Sequence, residues 1–156
     1  MALLAWLQGT SFARWVSASP SLWAYPTVLT AHTIGLAMLV GASVVLDLIL
    51  LGIVPGVELR SLEKIFRIMW LGFLVNAISG LCLFAADATT KGTQTIFYVK
   101  MLFIAAGLMV MLLIRNTAFL RPATAAAASR VRALAAASLV CWLGAITAGR
   151  LMAYVK

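Results

Sequence analysis

The amino-acid sequence predicts an all-α integral membrane protein, a four-helix bundle with an N-terminal interfacial helix. Three observations lead there. The 156 residues are 64% hydrophobic and 10% charged, with a mean hydropathy of +1.08. Soluble domains carry about 25% charged and about 45–50% apolar residues, and so few polar groups cannot cover a water-facing surface. The apolar residues also fall into four runs, each meeting the ~20 residues that a helix needs to cross a bilayer. Finally, twelve Lys and Arg against four Asp and Glu give a net charge of +8, and the basic residues flank the apolar runs, as the positive-inside bias requires. The lipid bilayer is therefore the expected partner. Nucleic acid is not, because no solvated basic face with aromatic platforms is present. The chain reads as a single transmembrane domain, residues 1–156.

The elements follow in order. Residues 1–16 form the interfacial helix: the stretch is apolar, has no basic residue before Arg14 and so lacks the basic start of a signal peptide. Trp6, Phe12 and Trp15 suit the headgroup level. Residues 17–20 break the chain at Pro20. The first span covers residues 22–54, with Pro26 tolerated in its first turns and Pro55-Gly56 as its stop. The second covers 68–86, the third 96–114 and the fourth 131–154. The first and third loops hold seven basic residues: Arg60, Lys64, Arg67, Arg115, Arg121, Arg130 and Arg132. The N-terminal segment, second loop and C-terminus hold three: Arg14, Lys91 and Lys156. This bias places both termini outside, periplasmic in a bacterial inner membrane. Trp70-Leu-Gly and Trp142-Leu-Gly make a faint internal echo between spans two and four, as a parallel repeat of two hairpins would.

Ionisable groups inside lipid are functional candidates, because a charge there costs several kcal/mol unless paired or hydrated. Along a helix rising ~1.5 Å per residue, His32 lies about 9 Å outward of the midpoint of its span and Lys100 about 8 Å outward of its own. Asp87 and Arg150 come out on the same side. The expected site is an outward polar pocket lined by His32, Tyr25, Asn76, Asp87, Lys100 and Arg150. At 100° per residue Tyr25, His32, Ser43 and Asp47 share one stripe, and Met69, Gly72, Asn76, Gly80 and Asp87 another. Gly35, Ala37, Gly41, Gly72, Gly80, Gly144 and Gly149 are expected to let helices approach closely. Asp47 is expected to form a salt bridge with Arg60, Lys64 or Arg67.

Several occupants suit such a pocket. Haem b would take His32 as an iron ligand and Lys100 and Arg150 as propionate partners. A quinone would hydrogen-bond to His32 and Tyr25. Copper would use His32 with Met or Cys, but Met38 lies on another face. The bland alternative has Lys100 and Arg150 snorkelling to the interface, His32 hydrogen-bonded within the bundle, and Asp87 capping a helix or pairing with Lys91. Cys82 and Cys141 have no metal-site spacing and read as small hydrophobes. No triad, P-loop, HExxH or G-x-S-x-G pattern occurs, so an enzyme acting on its own is disfavoured. The leading reading is an integral membrane binding or accessory protein with a polar pocket in its outer half. The rivals are a haem- or quinone-linked electron-transfer subunit and a small oligomeric transporter or pore. Further expected partners are a second copy of the chain or a larger membrane complex.

The stretches Trp23-Ala-Tyr-Pro, His32-Thr-Ile-Gly-Leu-Ala and Asp47-Leu-Ile-Leu-Leu-Gly52 resemble a small bacterial inner-membrane family of unknown function. That family shares a W-x-Y-P start, an intramembrane H-x-x-G-L and a D-L-x-L-L-G ending. The resemblance covers nearly the whole chain and implies a four-helix membrane protein with no stated activity. More remotely, the chain resembles the helical domains of copper-resistance membrane proteins and small b-type cytochromes. A low-spin b-type haem usually takes two axial histidines, and this chain has one.

Overall fold

The computed structural model describes residues 1–21, 23–56, 59–120 and 125–154, together with their side chains except those of residues 59–61, 118–120 and 125. All regular elements among them are helices: α1 (Ala2–Gln8), α2 (Ser11–Ala18), α3 (Tyr25–Leu50), α4 (Leu59–Ala86), α5 (Ala88–Lys91), α6 (Thr95–Leu120) and α7 (Ala125–Leu151). Within α3, α4, α6 and α7 run four segments long and apolar enough to cross a membrane. In hydrocarbon every backbone N–H and C=O must find its partner within the chain, and a continuous helix supplies one. Leu81, Leu102, Val140 and Leu143, one from each long helix, are largely exposed. Lipid is the solvent that suits them, and the protein is a multi-pass membrane protein.

The four expected spans are present with moved boundaries. The first is shorter than expected: α3 stops at Leu50, and Gly52 takes a positive φ of 83° in the turn that follows. Glycine is the residue that adopts this geometry without a steric cost. The second begins earlier, because α4 runs through the basic segment around Lys64 and Arg67 before becoming apolar. The third and fourth likewise extend toward their connecting loop. Leu22, Arg121 and Lys156, used in placing the spans and counting charge, lie outside the described residues, as does the side chain of Arg60.

The expected single N-terminal helix is two. Gly9 ends α1, and Thr10 starts α2 by accepting the Ala13 N–H at 3.2 Å on its hydroxyl. Such a cap satisfies a backbone donor that a helix start leaves orphaned. α2 sorts its residues by face: Ala13 and Val16 are buried, and Phe12 and Trp15 are exposed.

The chain divides into two compact units, Met1–Gly41 with Arg67–Gln94, and Ala42–Phe66 with Thr95–Lys156. In the first, α3 and α4 run antiparallel with their main chains in close approach. A Cβ at Gly35 would stand 2.6 Å from the Asn76 nitrogen, and one at Gly72 would stand 2.6 Å from the Leu39 nitrogen. Small residues let helices meet this way in lipid, where packing rather than water exclusion drives association. In the second unit, α6 and α7 pair through a different device. Phe103 lies over Gly144, Trp142 over Gly107 and Lys100 over Gly149, so each glycine on one helix seats a large side chain of the other. Gly41 meets nothing within 4 Å and Ala37 is exposed, so neither serves the close approach expected of it. The two tryptophans of the Trp-Leu-Gly echo differ in setting, Trp70 being 39% exposed and Trp142 1%.

Candidate functional site

His32 is the best-defined polar residue of the first unit. It sits two turns into α3, and Gly80 of α4 leaves room for its ring, with Cε1 at 3.1 Å from where a Cβ would stand. Its Nδ1 lies 3.1 Å from the Asn76 carbonyl and 3.0 Å from the Ser79 hydroxyl. The Ser79 hydroxyl itself donates to the Val75 carbonyl at 2.6 Å. Both partners of Nδ1 are thus acceptors, and Nδ1 carries a proton. In return the Asn76 side-chain amide donates to the His32 carbonyl at 2.8 Å. The two residues clamp α3 to α4 through one side-chain bond in each direction, where Gly35 and Gly72 bring the helices together. The sequence reading placed His32 and Asn76 in one expected pocket; Ser79, which also meets Nδ1, was missed. Its spacing of three from Asn76 is the signal that could have found it.

Asp87 stands at the start of α5, makes no side-chain cap, and pairs with Lys91 at 3.8 Å across one helical turn. Both side chains are partly solvated, so this pair contributes little. Tyr25 is the first residue of α3 and is 47% exposed. A contact absent from the sequence reading lies nearby in the chain. The Gln8 side-chain carbonyl accepts from the Thr89 N–H at 3.0 Å and from the Thr89 hydroxyl at 2.6 Å. Leu4 packs over Gly92. α1 is therefore docked on α5.

Lys100 and Arg150 belong to the second unit. The Lys100 stem runs across α7, with Cε at 3.7 Å and Cδ at 3.8 Å from the Cβ position of Gly149. The side chain therefore packs on the neighbouring helix. Arg150 is exposed in the last turn of α7, where its charge complements the helix dipole.

The same unit holds a second polar cluster. Asp47 is 0% exposed, and Ser43 and Ser138 are 1% exposed. Ser43 donates to Asp47 Oδ2 at 3.4 Å and lies 3.3 Å from the Ser138 hydroxyl. Asp47 Oδ1 and the Trp142 indole N–H have no hydrogen-bond partner among the described residues. The salt bridge expected for Asp47 is not made to Lys64 or Arg67; the Ser43 hydroxyl of α3, itself beside Ser138 of α7, faces the carboxylate instead.

No group of three or more His, Cys, Asp and Glu gathers among the described residues. Met38 packs on Gly72, and Cys82 and Cys141 are free, half-buried thiols. No family model, curated protein or solved structure matches the chain.

Proposed function

We propose that this chain is a binding or accessory protein of the bacterial inner membrane, taking the polar head of a small amphiphile beside His32. One observation carries the reading: His32, an ionisable residue inside a spanning helix, is held in place by Asn76 and Ser79 of α4. Ionisable groups in lipid are functional candidates by default, and an imidazole so anchored can exchange hydrogen bonds with a polar headgroup. A quinone or quinol headgroup is one such ligand. Tyr25, two turns toward the start of α3, is the further residue proposed to line this site. The seven-to-three distribution of basic residues supports periplasmic termini.

The test compares small molecules that copurify with the wild type and with His32→Ala, after lipid extraction and mass spectrometry. Asn76 donates to the His32 backbone carbonyl, a bond that alanine keeps, so helicity should persist. A polar-headed molecule enriched in the wild type and at least about tenfold depleted in the variant, roughly 1.4 kcal/mol of binding, is expected. Equal recovery from both proteins would remove His32 from the function.

A further inference from the structure

We propose that Asp47, Ser43 and Ser138 form a binding site for a monovalent cation of sodium's size, within the second unit. Three independent features converge. The first is charge. Asp47 is fully buried in a spanning helix, and an isolated carboxylate in such surroundings costs several kcal/mol unless compensated. The groups described beside it, Ser43 and through Ser43 the Ser138 hydroxyl, are neutral.

The second feature is the orphaned oxygen. Asp47 Oδ1 is a buried acceptor with no donor among the described residues. Buried polar atoms are nearly always satisfied, and a bound cation satisfies both carboxylate oxygens at once.

The third is spacing. Hydroxyl hydrogen bonds cluster near ~2.7–2.8 Å, yet Ser43 stands 3.4 Å from Oδ2 and 3.3 Å from Ser138. These separations are long for hydrogen bonds and right for neighbouring ligands of one ion. Two oxygens at a right angle, each about 2.4 Å from a cation, stand about 3.4 Å apart, and roughly 2.3–2.6 Å is the range for calcium. Sodium has nearly calcium's radius and half its charge. One carboxylate neutralises sodium, whereas a divalent ion would keep a net charge in a low-dielectric site. Potassium is larger and would spread the same oxygens further. The chemistry is that of hard oxygen ligands, two from α3 one turn apart and one from the middle of α7. The cation thus ties α3 to α7.

The experiment is thermal unfolding of the detergent-solubilised protein, followed by tryptophan fluorescence. Choline chloride is replaced stepwise by sodium chloride at constant ionic strength and mildly alkaline pH, with potassium as a parallel series. Anything that binds only the folded state raises Tm with its concentration. The wild-type Tm should rise by several degrees with sodium and saturate, with potassium needing about tenfold more for the same shift. Acid should weaken the sodium response, because the carboxyl must lose its proton to bind. Asp47→Asn should abolish the response. Ser138→Ala keeps the carboxylate and should move the half-saturating sodium concentration upward by about tenfold, which serves if the Asn variant does not fold. A wild-type Tm as insensitive to sodium as to choline would overturn the proposal. So would stabilisation reproduced in full by acid alone with sodium adding nothing, or a sodium response that survives Asp47→Asn.

Discussion

Adding one methyl group to Gly35 should separate α3 from α4, and the structure sets the size of the effect. The new Cβ would stand 2.6 Å from the Asn76 nitrogen and 3.0 Å from the Gly72 carbonyl oxygen. Both atoms are main chain, so no rotamer change relieves the clash. Ordinary contact begins at 3.4 Å, and the helices must part by about 0.8 Å, the difference between 3.4 and 2.6 Å. Such a movement would stretch the Asn76-to-His32 bond of 2.8 Å and the His32-to-Asn76 bond of 3.1 Å beyond useful length. Overpacking costs roughly 1–3 kcal/mol, and two interhelical bonds in lipid add about 0.6 kcal/mol each. Gly35→Ala should therefore destabilise by about 2–4 kcal/mol, less the helix-propensity gain of alanine of about 1 kcal/mol. Gly41→Ala is the control, since its Cβ meets nothing within 4 Å and only the propensity gain remains. Equilibrium unfolding in bicelles, comparing both variants with the wild type, measures the difference. If Gly35→Ala proves as stable as Gly41→Ala, the close main-chain approach does not hold this pair together.

Three other outcomes are expected. Gln8→Ala removes the acceptor of two Thr89 bonds, worth about 1–3 kcal/mol together; hydrogen exchange in residues 1–18 should accelerate while the spans stay protected, and unchanged exchange would mean that α1 docks by apolar contact alone. Asp87→Asn breaks a solvated pair with Lys91 and should alter stability by at most about 1 kcal/mol, so a larger loss in a denaturation curve would point to an unrecognised role for Asp87. A phosphatase fusion at the C-terminus should be active outside and a cytoplasmic reporter there silent; the reverse pattern would turn the protein over and place His32 on the inner side.

The spans were legible because lipid imposes a simple rule: twenty apolar residues in a row leave few other folds. Their ends were not, since helices such as α4 continue past the bilayer where water accepts polar side chains, and hydropathy no longer marks the limit. The polar stripe on α3 grouped His32 and Asp47 by angle, which says nothing of their partners. His32 meets α4, whereas Asp47 meets α7, and a single helix's periodicity cannot say which neighbour covers each turn. Asp47 was assigned to basic residues because charge counts are visible in sequence, whereas Ser138 is an unremarkable letter in an alanine-rich run. Gln8 and Thr89, 81 positions apart, left no local pattern at all.

The approach of α3 to α4 at Gly35 and Gly72 has a consequence for how this protein can vary. Each position faces main-chain atoms of the other helix, and main chain is common to every residue type. Enlarging one position cannot be offset by shrinking its neighbour, since glycine is already the smallest residue. Descendants of this chain should therefore hold both letters fixed without any correlated exchange between them. Contact maps inferred from paired substitutions would pass over this crossing, while they would register places such as Phe103 on Gly144, where one side chain's bulk can be traded for another's.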